Sequence, residues 1–156
     1  MPHRILMGDL FESEAATLVN AVNCVGVMGK GIAQLFKERF PVMFVDYKAR
    51  CDRNEVQPGV PYLYRDALGT SILNFPTKNH WRSPALLKDV IHGLDIFVDK
   101  YQEWGIESIA FPSLGCGNGG LAWEVVGPIM HQKLSQLSIS VEIYAPYPVN
   151  ELKEMR

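Results

Sequence analysis

Three stretches of this sequence group polar side chains with glycines in a way that suits an anionic, sugar-bearing ligand, and a fourth adds an amine. In "GDLFES", Asp9 can accept hydrogen bonds from an amino group on a purine edge, with Gly8 and Leu10 on either side. In "NAVNCVGVMGKGIAQLF", Asn20 and Asn23 precede a turn built on Gly26, Gly29 and Gly31 that also carries Lys30 and Ile32. An amide supplies both donor and acceptor, as a ribose diol requires, and the N–H groups of a helix start suit a diphosphate. In "PSLGCGNGGLAW", Ser113 and Leu114 lead into Gly115, Cys116, Gly117, Asn118 and Gly119. A missing Cβ permits positive φ and close approach, so backbone N–H groups can be pressed against an anion. The fourth stretch, "NFPTKNHWR", runs Pro76, Thr77, Lys78 and then His80, Trp81 and Arg82. Lys78 offers a primary amine for nucleophilic, proton-donating or electrostatic work. An aromatic ring beside a cation can stack a base and neutralise a phosphate, which is single-strand nucleic-acid chemistry; the same tryptophan would serve as a cap on a hydrophobic core.

Each feature has a plainer reading. Asp9 fits a turn cap, the asparagines an Asx turn, Lys78 a solvated strand edge and His80 an ordinary surface histidine. A GxGxxG fingerprint is absent, so a dinucleotide fold of that type is not indicated. Cys116 sits where a helix start would depress a thiol pKa, yet no His–acid arrangement adjoins it, which favours packing over nucleophilic attack. Two glycine-rich cradles in one chain are what make coincidence an unattractive account of the set.

Short β-rich runs alternate with helical patterns and would position these loops. Strands are expected over Arg4–Met7, Thr17–Ala21, Val60–Arg65, Ser71–Phe75, Ser108–Phe111 and Val141–Ala145. Between them, Ile32, Leu35, Phe36 and Phe40 share one face of a helix over Gly31–Phe40 that Pro41 stops, with a second short helix over Val42–Arg50. Ser83 and Pro84 read as the N-cap and first residue of a third helix that buries Leu87, Val90, Ile91, Leu94, Phe97, Val98 and Tyr101 and closes at Gly105. The last helix begins near Trp123, since Pro128 is tolerable only in a first turn. This order gives an α/β protein, a three-layer α/β/α sandwich around a mixed sheet. Residues 1–150 are expected to form a single domain, with 151–156 a charged tail. Ligands of such sheets lie outside the carboxyl ends of the strands, where the polar and glycine-rich stretches fall.

Bulk properties narrow the function classes. A chain of 156 residues can bury a substantial core. Its net charge of −2 supplies no global field toward nucleic acid or membrane, so any nucleic-acid contact must be local and short. Three cysteines, without CxxC or zinc spacing, fit a reducing compartment with no metal site; the expected location is the cytoplasm.

The strings "GDLFES", "VNAVNCVGVMGKGIAQLFKERFP" and "FPSLGCGNGGLAW" resemble the adenine, ribose-diphosphate and distal-ribose loops of macrodomains, which bind ADP-ribose and often hydrolyse its glycosidic linkages. "MGKGIAQLFKERF" and "NFPTK" are similar to the branch that contains human terminal ADP-ribose glycohydrolase, whose catalytic lysine matches Lys78. "NFPTKNHWR" with "GCGNGGLAW" looks most like the macrodomains of DarG antitoxins, which remove ADP-ribose placed on thymidine in single-stranded DNA by a DarT toxin.

The resemblance implies a DNA ADP-ribosyl glycohydrolase with Lys78 and Asn23 as catalytic residues, Tyr147 added to the ligand contacts, and His80, Trp81 and Arg82 on the DNA. Its partners would be ADP-ribose, ADP-ribosylated single-stranded DNA and a cognate DNA ADP-ribosyltransferase toxin, with no cofactor. Lys30 and Asn118 stand where other macrodomains carry aspartates, so an aspartate-dependent mechanism is not implied. A protein-directed hydrolase, an ADP-ribose phosphoesterase and a non-catalytic ADP-ribose reader use the same kind of pocket and remain the alternatives at this stage.

Overall fold

Strands β2 (Thr17–Val22) and β4 (Ser71–Pro76) read as almost continuous apolar runs because both faces of each are covered, the usual state of central parallel strands. They pair in parallel register from Thr17 opposite Ser71 to Val22 opposite Pro76. The computed structural model describes residues 3–67 and 69–148. Around that central pair it adds β1 (His3–Leu6), β3 (Tyr62–Arg65), β5 (Ser108–Phe111) and β6 (Ser140–Tyr144), in the order β1-β6-β5-β2-β4-β3. Every pairing is parallel except β3 with β4, so the sheet is mixed. The expected tail 151–156 lies outside the described residues.

Helices cover both faces. α1 (Gly31–Arg39) and α2 (Pro41–Asp52) bury Phe36, Met43 and Tyr47 against Leu18, Val22 and Ile72 on one side. On the other, α3 (Leu87–Lys100) and α4 (Trp123–Leu134) bury Val90, Leu94, Phe97, Trp123 and Met130 against Val19, Phe75, Ile109 and Phe111. This is the three-layer sandwich expected from the alternation of periods. Pro41 ends α1 and also opens α2 as its first residue, where its missing N–H has no intrahelical partner to lose.

Two departures from the sequence-based expectation have physical causes. α3 starts at Leu87 rather than at Pro84, and its N-cap is Leu86, not Ser83. The backbone of 85–86 is engaged elsewhere: Ala85 N–H donates to the Gly119 carbonyl at 2.9 Å and Leu86 N–H to that of Thr77 at 3.4 Å. Those bonds hold the chain extended across the carboxyl end of the sheet before it can coil. The strand ends also shift by one or two residues, β6 running Ser140–Tyr144 and β3 only Tyr62–Arg65.

The opposite, amino end of the sheet carries a histidine pair. His3 Nε2 lies 3.0 Å from His131 Nδ1 with the rings edge to face. Burial lowers both pKa values, and for His3 the neighbouring His131 charge lowers it further. No helix among the described residues is long and apolar enough to cross a membrane.

Candidate functional site

The parallel strands all point their carboxyl ends at one cavity of about 870 Å³, near the upper end of the range of roughly 300–1,000 Å³ for small-molecule sites. After β1 come Gly8 and Asp9, after β2 Asn23, after β4 Thr77 and Lys78, after β5 Pro112 and Ser113, and after β6 Ala145 and Pro146; all of them line it. β2 lies between β5 and β4, and the chain leaves it in one direction for β4 and later returns on the other side to β5. Such a reversal opens a crevice at the strand ends.

The first wall is the loop from Asn23 to Gly31. Asn23 Nδ2 donates to the Val27 carbonyl at 2.8 Å, while its Oδ1 accepts from Val25 N–H at 3.0 Å and lies 2.8 Å from the Tyr47 hydroxyl. Burial, the largest cause, pushes the Tyr47 phenol far above its ordinary pKa, so it remains a neutral donor. Asn23 lines the cavity, but its oxygen and one amide hydrogen shape the loop, leaving a single amide hydrogen for a ligand. At the end of the loop, Lys30 caps α1 without any side-chain hydrogen bond. Gly31, Ile32 and Ala33 therefore present first-turn N–H groups to the cavity with the positive end of the helix dipole behind them. Asp9 does two things: its Oδ1 accepts from Phe11 N–H at 2.9 Å, capping the 3-10 turn Leu10–Glu12, and its carboxylate borders the cavity.

The second wall is Ser113–Gly119. Gly117 has φ +65°, and a Cβ there would meet no atom within 4 Å, so the position opens into the site and only glycine adopts it without strain. Gly31, with φ +60°, stands so close to the opposite wall that a Cβ would lie 2.9 Å from Asn118 Nδ2. The two glycine-rich loops thus nearly touch across the cavity. The Cys116 thiol is half-buried, donates to the Leu114 carbonyl at 3.7 Å and is pushed up to about 11, first by burial and then by the Glu124 charge. It is a protonated packing group at neutral pH.

The third wall is the turn after β4. Lys78 lines the cavity, and its Nζ donates to the Trp81 carbonyl at 3.3 Å. Trp81 is 42% exposed and lines the mouth, so it is no core cap. Its ring stacks on His80 with centroids 5.2 Å apart and carries the Arg82 guanidinium 4.5 Å from its centroid. Main-chain bonds tie the segment to its neighbours: Cys24 N–H to Asn79 carbonyl at 2.8 Å, Thr77 N–H to Val22 carbonyl at 3.0 Å, and the Ala85 and Leu86 bonds described above.

Of the residues singled out in the sequence, Gly8, Asp9, Leu10, Asn23, Gly29, Lys30, Gly31, Ile32, Thr77, Lys78, Trp81, Ser113, Gly115, Cys116, Gly117, Asn118 and Gly119 border this one cavity. Six do not. Asn20 is fully buried on the sheet face that α1 and α2 cover, where its Nδ2 donates to Asn74 Oδ1 at 3.2 Å. It is a β2 residue, and strand alternation turns it from the site into the sheet face shared with Leu18 and Val22. Pro76 is buried within β4 and its carbonyl accepts from Gly59 N–H at 2.8 Å; Leu114 is buried in the core beneath α3 and α4. Tyr147 is exposed beyond the cavity, its hydroxyl donating to Glu124 at 2.6 Å. His80 and Arg82 flank Trp81 on the rim but line no part of the cavity. Sequence reasoning passed over Phe11, Val27, Leu35 and Tyr144, which do line it. An apolar residue in a pocket has the same sequence signature as one in the core; the signal for Phe11 was its place two residues after Asp9.

Comparison with known proteins agrees with this architecture. The Macro domain family matches residues 19–130. A DNA ADP-ribosyl transferase–DNA ADP-ribosyl glycohydrolase fusion protein from Thermosipho africanus is 41% identical over 91% of this chain and 41% of its own length. Among solved structures, the macrodomain of Mycobacterium tuberculosis DarG superposes with a TM-score of 0.87 at 44% identity, covering 92% of this chain and 98% of that one. Thermosipho africanus DarTG in complex with ADP-ribose superposes with a TM-score of 0.89 at 40% identity, covering 96% of this chain and 43% of that one. The chain spans about two fifths of the length of the curated relatives it matches. Fold, strand-end cavity and sequence match coincide, and the chain belongs to the macrodomain family.

Proposed function

We propose that this chain is an ADP-ribosyl glycohydrolase that releases ADP-ribose from thymidine bases of single-stranded DNA and so opposes a DNA ADP-ribosyltransferase. The observation that carries the reading is the position of Lys78: its amine lies at the cavity mouth, on the same turn as an exposed tryptophan flanked by a histidine and an arginine. The relatives named for this activity supply the same direction, and the Thermosipho protein was solved with ADP-ribose.

In the proposed arrangement the glycine loops hold the diphosphate by backbone N–H groups and Asp9 receives the adenine amino group. Trp81 stacks on the departing base or its neighbour, with Arg82 against a phosphate. Two routes use the same amine. In the covalent one, Lys78 attacks the anomeric carbon of the distal ribose as the base nitrogen leaves with the bonding pair and is protonated, and water then hydrolyses the lysine adduct. In the other, the ammonium stabilises the negative charge developing on the base while water attacks directly. The departing base takes up the same charge on both routes, so a cation beside it lowers either barrier.

An oligonucleotide carrying one ADP-ribosylated thymidine tests the reading: incubation should release ADP-ribose and restore the unmodified strand by mass. Binding of ADP-ribose without any release would reduce the chain to a reader, and release from glutamate-modified protein but not from DNA would overturn the substrate assignment.

A further inference from the structure

On the outer side of the same turn lies a second, shallower cleft of about 390 Å³, lined by Pro58, Asn79, Ser83, Pro84, Leu86, Lys88 and Asp89. It is separate from the cavity, yet its walls begin one residue beyond Lys78 and continue immediately past Arg82. Its chemistry is of two kinds. Pro58, Pro84 and the 46% exposed Leu86 form apolar surface. Around it stand Asn79, Ser83, Lys88 and Asp89, whose side chains make no hydrogen bond or ion pair with another described residue. Polar groups left unengaged around an apolar floor suit a ligand with a flat face and a hydrogen-bonding edge.

We propose that this cleft holds the nucleotide next to the modified thymidine in the substrate strand. The inference rests on the DNA glycohydrolase reading above. A strand whose modified base enters the cavity at Lys78 must cross the rim at Trp81, and the next nucleotide then reaches the cleft that the same turn forms. The apolar floor takes the base face, while Asn79 and Asp89 meet its edge; an acceptor-only carboxylate pairs with an exocyclic amine. Lys88 takes the intervening or following phosphate as a point charge. Continuity with the rim, and a single exposed lysine in place of an extended basic groove, also agree with the net charge of −2, which allows only a short footprint.

The test compares two substrates on the wild type and on Lys88→Glu and Asn79→Ala: ADP-ribosylated thymidine as a mononucleoside, and the same group within a single-stranded oligonucleotide. The wild type should process the oligonucleotide with the higher kcat/KM. Lys88→Glu should lower that kcat/KM about tenfold and reduce the slope of log affinity against log salt by about 0.7, the value for one phosphate contact on a single strand. Both variants should leave mononucleoside turnover and ADP-ribose affinity unchanged. Equal loss on both substrates, or no loss on the oligonucleotide, overturns the cleft assignment. Failure of the wild type on both substrates would instead sink the glycohydrolase reading and is told apart by that result alone.

Discussion

The floor of the cavity is made of backbone and its rim of side chains. Along the floor, strand termini and first-turn N–H groups are fixed by main-chain bonds, by glycines at positive φ and by the Asn23–Tyr47 contact. Along the rim, Lys78, His80, Trp81 and Arg82 touch mainly one another. The difference separates two tasks. On the proposed reading, the backbone cradle recognises the part common to every ADP-ribosyl substrate, whereas the side chains on the turn recognise what that group is attached to. If this division holds, floor and rim variants should fail in different assays.

The largest effect should come from Lys78→Ala, which ought to cut release of ADP-ribose from DNA by about 100-fold or more while ADP-ribose still raises the melting temperature. Lys78→Arg then separates the routes: arginine as inactive as alanine, with a borohydride-trapped adduct on the wild-type lysine, indicates the nucleophile, and substantial activity without an adduct indicates charge. Full activity in Lys78→Ala would break the division altogether. Next is Gly117→Glu, which places a carboxylate in the open space of the proposed phosphate path and strains the turn. Wild type at 100 times its Kd should gain about 2.7 kcal/mol from ADP-ribose, and the variant close to none, as read by thermal shift.

Trp81→Ala should weaken binding to modified single-stranded DNA by about 1–3 kcal/mol and leave free ADP-ribose affinity nearly intact; equal losses for both ligands would move Trp81 from rim to floor. Tyr47→Phe tests whether the floor depends on a single hydroxyl. It should cost about 1 kcal/mol of stability in denaturant titration and weaken ADP-ribose binding modestly, and an unchanged protein would show that the glycines suffice.

The smallest effect should arise farthest from both regions. His3 and His131 resist protonation in the folded state, so the unfolded chain binds more protons just below its histidine pKa of about 6.5. Their contribution is complete above that pH and is lost as the pH falls beneath it toward the folded values. Melting temperatures should drop between pH 7.5 and 5.5 less in His131→Gln than in the wild type, while ADP-ribose stabilisation changes equally in both.

The parts legible in the sequence were those with a local cause. Glycines before a helix, a lysine after a strand and an aromatic beside an arginine are visible as letters, and period-2 and period-3.6 runs carried the layers. Features decided at a distance were not visible. Asn20 and Asn23 are three residues apart with the same side chain, yet strand pleat buries Asn20 against Asn74 beneath the helical layer and the strand end delivers Asn23 to the cavity. The Ser83–Pro84 helix start follows local propensity, but Gly119 and Thr77, distant in sequence on either side, hold the next two residues extended. Leu35 gave no sign of being other than a core residue, and Phe11 gave only its nearness to Asp9.

The ties that anchor the rim turn to its surroundings engage its main-chain atoms: Asn79 carbonyl to Cys24 N–H, Lys78 carbonyl to the Cys24 thiol, Ala85 N–H to Gly119 and Leu86 N–H to Thr77. None of them depends on which side chains occupy positions 79–83. The turn is accordingly built as a replaceable cartridge, open to mutation without cost to the scaffold beneath it. A lineage could exchange one attachment chemistry for another by rewriting five consecutive codons, and an engineer could transplant the segment between relatives and expect the host to fold.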